Sequence, residues 1–139
     1  MLTETTATIG TYAIDSATGS LRELQFVDTN QYSQQPAASD IHVTPDGRFL
    51  YGAERRTSML FGYRIDAGTG TLTPIGRFPT EKTPRGFAID PRGRFLLSVG
   101  MDSAGMTVYA IDPKSGELQP IGRHTMGAQP NWIEIVDLK

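Results

Sequence analysis

The sequence predicts an all-β protein, a partial β-propeller of about two and a half four-stranded blades. Three observations carry that reading. First, the chain repeats itself at fixed spacing. "TPDGRFLYG" at Thr44 resembles "DPRGRFLLS" at Asp90, and "GYRIDAGTGTLTPIGR" at Gly62 resembles "VYAIDPKSGELQPIGR" at Val108. Pro45 and Pro91, Tyr63 and Tyr109, Pro74 and Pro120 each lie 46 positions apart. Second, every unit holds four short runs rich in β-branched and aromatic residues, separated by turn chemistry. Third, no long i, i+3, i+4 apolar stripe marks a helix. Four strands in about 40–50 residues is the spacing of a propeller blade.

Taken in order, residues 1–38 read as half a blade and a connection. "TYAIDSATGSLREL" at Thr11 matches the second half of a unit, with Tyr12 lying 51 positions before Tyr63. The extra length falls in "NQYSQQPAAS", a longer connection. Residues 39–84 read as a complete blade, with strands at 40–44, 49–54, 59–65 and 72–78. Turns at Pro45-Asp46-Gly47, Arg55-Arg56-Thr57-Ser58 and Asp66-Ala67-Gly68 separate them. Residues 85–130 repeat that pattern. "QPNWIEIVD" at Gln129 matches the start of a unit, and residues 131–139 read as the first strand of another blade. Fewer than three blades cannot close a propeller, which takes about four to eight. Unclosed blade faces and open strand edges invite association. Self-association, or the remaining blades, is therefore expected.

Bulk properties narrow the function. The chain has 139 residues, net charge −2 and a pI near 5.6. Neither nucleic acid nor an anionic membrane is expected as a partner, since both favour a basic surface. Cysteine is absent, so there is no disulfide framework and no thiolate chemistry. No apolar run approaches the ~20 residues of a membrane span, and "MLTETTATIG" lacks the pattern of a signal peptide. A cytoplasmic location is the expectation. Phosphate-binding glycine loops, a GxSxG elbow and HExxH are all missing. Two separated histidines make no zinc site, and scattered acids make no EF-hand. No metal or cofactor is expected.

The repeat separates scaffold from site. Positions that agree between units serve the blade. Gly47 and Gly93 sit at hairpin turns that favour φ > 0, each followed by an arginine, Arg48 or Arg94. Phe49-Leu50 and Phe95-Leu96 are core, and Tyr63, Ile65, Tyr109 and Ile111 fill between blades. Asp66 and Asp112 cap the next turn by Asx bonding. Ile41, Phe87 and Ile133 are equivalent, as are Val43, Ile89 and Ile135, on one buried face.

Positions that differ cluster on one rim. At the start of the innermost strand, Ser39, Arg85 and Asn131 are equivalent; three residues on, so are His42, Ala88 and Glu134. At the end of the second strand, Glu54, Arg55 and Arg56 match Gly100, Met101 and Asp102. Antiparallel pairing brings the start of one strand beside the end of the other, opposite the Asp-Gly turns. Arg85 and Arg55 suit forked contacts with a carboxylate or phosphate, although Arg85 could instead pair with Glu54. His42 or a desolvated Glu54 could activate water. Asp40 reads as a cap at the start of its strand, Arg56 as solvated and His124 as surface. Trp132 reads as packing beside the channel or the apolar wall of a sugar pocket, next to Asn131.

"DIHVTPDGRFLYGAERR", "TPRGFAIDPRGRFLLSVG" and "GAQPNW" together resemble the lactonase family of seven-bladed β-propellers, which includes bacterial 6-phosphogluconolactonases and fungal 3-carboxy-cis,cis-muconate cyclases. The resemblance covers nearly the whole chain and matches a C-terminal portion of the family. It implies hydrolysis of a sugar-acid lactone, with His42, Glu54 and Arg85 as catalytic residues and Arg55, Arg85, Asn131 and Trp132 as substrate contacts. Met101 stands where family members carry glutamine. Two alternatives remain: a carboxymuconate cycloisomerase-like lyase, or a catalytically incomplete fragment serving as an assembly or binding module.

Overall fold

A computed structural model describes residues 1–29 and 35–138 of the chain. Part of the long connection expected within "NQYSQQPAAS", residues 30–34, lies outside the described residues, as does Lys139. The described residues form ten strands: β1 (Thr8–Ile14), β2 (Leu21–Asp28), β3 (Ala38–Val43), β4 (Phe49–Glu54), β5 (Met59–Ile65), β6 (Leu72–Pro79), β7 (Pro84–Ile89), β8 (Phe95–Gly100), β9 (Gly105–Ile111) and β10 (Leu118–Thr125). They make a two-stranded sheet β1-β2 and two four-stranded antiparallel meanders, β3-β4-β5-β6 and β7-β8-β9-β10. The innermost strands β3 and β7 lie side by side, as consecutive blades require.

Turn chemistry sets these boundaries. Gly47 and Gly93 have φ of 74° and 67°. The Thr44 hydroxyl donates to the Asp46 carboxylate at 2.7 Å and accepts from the Phe49 amide at 3.0 Å, closing the hairpin. Asp15, Asp66 and Asp112 each accept two amide hydrogen bonds from the turn that follows. Arg48 pairs with Asp46, and Arg94 with Asp90, on the surface.

Alternation along β4 builds two interfaces at once. Phe49, Tyr51 and Ala53, with Leu60 of the same blade, face the following blade and pack with its Phe87, Leu96, Tyr109 and Leu118. Leu50 faces the preceding blade, packing with Ile9, Phe61, Tyr63 and Leu72. Burying each large side chain contributes about 1.5–3 kcal/mol, and β4 is buried along its whole length. The outermost strand β10 is exposed over most of its length.

Two expectations change at the ends. Residues 126–138 form no strand, where the sequence reading placed the first strand of another blade at 131–139, and no second strand stands beside them among the described residues. Val43 is 48% exposed rather than buried, because the preceding sheet contributes only β1 and β2, which cover the outer part of the blade face. At the other end, Met1–Thr3 folds back on β1. Leu2 bridges Ile9, and the Met1 amine and Gly10 carbonyl meet at 2.9 Å. In the next blade Ala53 pairs with Leu60 at the same register. The first residues thus hold the end of a second strand, which the sequence reading began at the third.

Candidate functional site

Each complete blade carries a β-bulge at the start of its innermost strand. The register slips between Ala38 and Asp40 in β3, and between Pro84 and Gly86 in β7. The extra residues are Ser39 and Arg85. A bulge re-aims the inserted side chain, and here it turns both toward the rim expected from the repeat. The Ser39 hydroxyl donates to the Pro84 carbonyl at 2.6 Å, stitching the two blades together. Arg85 is exposed and makes no side-chain hydrogen bond or ion pair among the described residues.

Arg85 shares a recess of about 100 Å³ with Glu4, Ala38, Ser39 and Arg55. Arg55 is held rigidly there. Its backbone amide and its Nε both donate to the Ala37 carbonyl, at 3.0 and 3.1 Å, and its Nη2 pairs with the Glu4 carboxylate. Next to this recess is a cleft of about 480 Å³ lined by Glu4, Thr5, Pro36, Ala37, Arg55, Arg56, Thr83 and Asp102. The structure therefore brings Arg55 and Arg85 together, as expected from the sequence.

Glu54 is placed differently. It is 3% exposed, and its oxygens accept from the amides of Ala37, Arg56 and Thr57 and from the Thr57 hydroxyl, at 2.5–2.9 Å. Burial alone would raise its pKa. The hydroxyl and amide donors outweigh that and hold it below the usual carboxylate range. A carboxylate with its lone pairs occupied is a poor base. Glu54 clamps the turn, and among the described residues it makes no salt bridge to Arg85.

His42 lies between the blades. Its Nε2 is 3.2 Å from Asp40 Oδ2, and its ring meets the Phe87 ring edge-on at 4.8 Å. Asp40 Oδ2 also accepts from the Phe87 amide at 3.0 Å. Asp40 is thus an inter-blade acceptor and the partner of an imidazole, where the sequence suggested a cap. Burial pushes the Asp40 carboxyl up, but the His42 and Phe87 hydrogen bonds carry it below its ordinary value. The bond to Asp40 raises the His42 pKa, desolvation opposes it, and the charges of Asp40 and Glu134 add to the rise. An ionised Asp40 assigns the proton to Nε2 and leaves Nδ1 as the acceptor. His42 does not line the Arg55–Arg85 recess.

Asn131 and Trp132 are also outside that recess. Trp132 is 74% exposed. Their backbone passes over β7 at Gly86, where an added Cβ would lie 3.0 Å from the Asn131 carbonyl oxygen and 3.7 Å from Asp40 Oδ2. Without a strand beside it, the segment leaves the Trp132 ring in solvent. His124 is exposed, as expected, and Arg56 is exposed.

The sequence reading missed two acids. Glu4 lies 51 positions before Arg55, so the repeat marked it as that arginine's counterpart. Glu81 is 5% exposed and accepts a forked pair of bonds from Arg123, at 2.8 and 3.1 Å, and one from Thr107. No sequence signal joined Glu81 to Arg123, 42 positions away.

Comparison with known proteins matches this arrangement to one family. The model of the family "Lactonase, 7-bladed beta-propeller" matches residues 1–135. The 6-phosphogluconolactonase of Pectobacterium atrosepticum is 39% identical over 89 residues, 63% of this chain and 27% of the relative. That of Photorhabdus laumondii is 49% identical over 53 residues, 38% of this chain and 16% of the relative. Among solved structures, a Bacteroides fragilis protein superposes with TM-score 0.89 at 29% identity, covering 96% of this chain and 37% of that one. The periplasmic gluconolactonase of Pseudomonas aeruginosa gives 0.82 at 28%, covering 92% and 36%. The chain thus spans well under half the length of each of these relatives.

Proposed function

The chain belongs to the seven-bladed β-propeller lactonase family, and on that premise we propose that it supplies part of the pocket of a sugar-acid lactone hydrolase, acting on a 6-phosphogluconolactone-like substrate. The observation that carries the reading is the recess holding two guanidiniums, of which Arg85 has no protein partner among the described residues. An unpaired arginine beside a rigidly held one suits an anionic ligand and the charge that develops on an opening ester.

In this reading Arg85 faces the lactone carbonyl. His42 lies outside the recess, so the reading places the carbonyl carbon at the recess mouth. Water adds to it there, and Nδ1 of His42 takes the water's proton while Asp40 stabilises the imidazolium. The negative charge on the carbonyl oxygen is met by Arg85. The ring C–O bond then breaks, the proton passes from His42 to the departing alkoxide, and a hydroxy acid leaves. A strained lactone asks little of the protein, so one base and one fixed positive charge suffice. Glu54 takes no part, its oxygens being occupied in the turn.

Closure of the pocket calls for further blades or further copies. A cytoplasmic location is part of the proposal, supported by the absence of cysteine and by the lack, among the described residues, of any helix long and apolar enough to cross a membrane. The Pseudomonas relative is periplasmic, so fractionation decides this point. The reaction itself is tested by assaying a closed propeller that carries this chain against 6-phosphogluconolactone and against a carboxymuconate. Lactone hydrolysis lost on Arg85→Ala supports the proposal. Turnover of the muconate with an inert lactone would transfer the site to the cycloisomerase class.

A further inference from the structure

Equivalent residues of three consecutive blades meet in one cleft. Thr5, Arg56 and Asp102 stand at repeat intervals of 51 and 46 and all line the cleft of about 480 Å³. Glu4 and Arg55, another equivalent pair, line both that cleft and the smaller recess holding Arg85. The two cavities form one depression with two lobes, and the Glu4–Arg55 ion pair divides them.

The lobes differ in capacity. The smaller measures about 100 Å³ and the larger about 480 Å³. A sugar acid with one end at Arg85 that lies along the depression extends past the ion pair into the larger lobe.

Within that larger lobe most charges are already committed. Arg55 is engaged by Glu4 and Ala37. Asp102 accepts from the Thr83 hydroxyl at 2.5 Å. Arg56 is the exception. Its backbone amide is anchored on Glu54 at 2.9 Å, which fixes where the side chain starts. Its guanidinium has no partner among the described residues. A free, forked cation at the far end of a two-lobed site is suited to a phosphate.

We propose that Arg56 is a specificity-determining residue that binds the terminal phosphate of a sugar-acid ligand whose carboxyl end lies at Arg85. The proposal rests on the lactonase reading above, whose 6-phosphogluconolactone-like substrate carries the phosphate, and names the residue that meets it. Sequence reasoning left Arg56 as a solvated charge.

Calorimetric titration of the full 139-residue chain with two probes, gluconate and 6-phosphogluconate, tests this. Arg56→Ala is expected to weaken 6-phosphogluconate about tenfold or more, as loss of a charge-assisted contact does, and to leave gluconate unchanged. Arg56→Lys should recover part of the loss as a point charge. Arg85→Ala should weaken both probes. Equal effects of Arg56→Ala on the two probes, or none on 6-phosphogluconate, would overturn the inference. If Arg85→Ala spares both probes while Arg56→Ala still separates them, the lactonase reading fails and the phosphate site stands. Binding of neither probe overturns both.

Discussion

Ser39 and Arg85 occupy the same bulged position on neighbouring innermost strands, and they use it in opposite ways. Ser39 turns its hydroxyl into the blade interface and bonds to the Pro84 carbonyl at 2.6 Å. Arg85, one blade on, points its guanidinium into an open recess beside Arg55. One backbone device serves cohesion in one blade and turns an arginine into an open recess in the next.

That contrast predicts separable phenotypes. Ser39→Ala should lower stability by about 1 kcal/mol, the worth of an ordinary hydrogen bond, and leave ligand affinity nearly unchanged. Arg85→Ala should do the reverse. Denaturant titration paired with calorimetry on both variants checks this. Arg85→Ala being the more destabilising of the two would contradict it.

The Asp40–His42 pair predicts a pH signature. His42 titrates above its ordinary value when folded. Its contribution to stability is therefore full below the unfolded pKa of about 6.5 and is lost as pH rises through the folded value. Asp40→Asn should bring the His42 pKa down toward the ordinary range. Titration of the imidazole resonances by NMR, with His124→Gln used to assign them, reads this directly. An unchanged His42 pKa in Asp40→Asn would remove the dyad from the mechanism.

Glu54 predicts a loss of stability without a matching loss of chemistry. Removing it orphans the amides of Ala37, Arg56 and Thr57, so Glu54→Ala should cost about 3 kcal/mol. Its folded pKa is lowered, so the contribution is present above the unfolded carboxylate value and is lost as pH falls through the folded one. Glu54→Gln should retain lactone turnover per folded molecule. A hundredfold drop in kcat for that variant, with the fold intact, would restore Glu54 as a base.

Gly86 predicts a test of how the final segment is seated. A methyl group there would press on the Asn131 carbonyl at 3.0 Å. Gly86→Ala should dislodge residues 131–138 while leaving the two four-stranded sheets in place. Faster proteolysis after the Arg123 region, with unchanged β-sheet circular dichroism, is the expected result. Identical proteolysis of parent and variant would argue against the seating.

Most of the fold was legible because the chain compares itself with itself. The 46-residue interval fixed the strands of both complete blades to within two residues of those formed. It also identified Arg85, which breaks a repeated pattern. What the repeat could not convey was direction and commitment. Glu54 and Arg85 differ equally from their counterparts, yet one is clamped by a turn and the other has no side-chain partner among the described residues; only the hydrogen bonds separate them. Asp40 looked like a local cap because its second partner, the Phe87 amide, lies 47 positions away. Residues 131–138 carry strand patterning without forming a strand for a related reason: patterning is necessary for a sheet, but pairing needs a neighbour.

The most direct test of the account is the rate of 6-phosphogluconolactone disappearance at neutral pH, corrected for spontaneous hydrolysis, in a closed propeller carrying this chain with Arg85 or with Arg85→Ala. The account predicts that the substitution removes most of the enzymatic rate while melting behaviour stays at the parent level. Near-parent turnover by Arg85→Ala would contradict it.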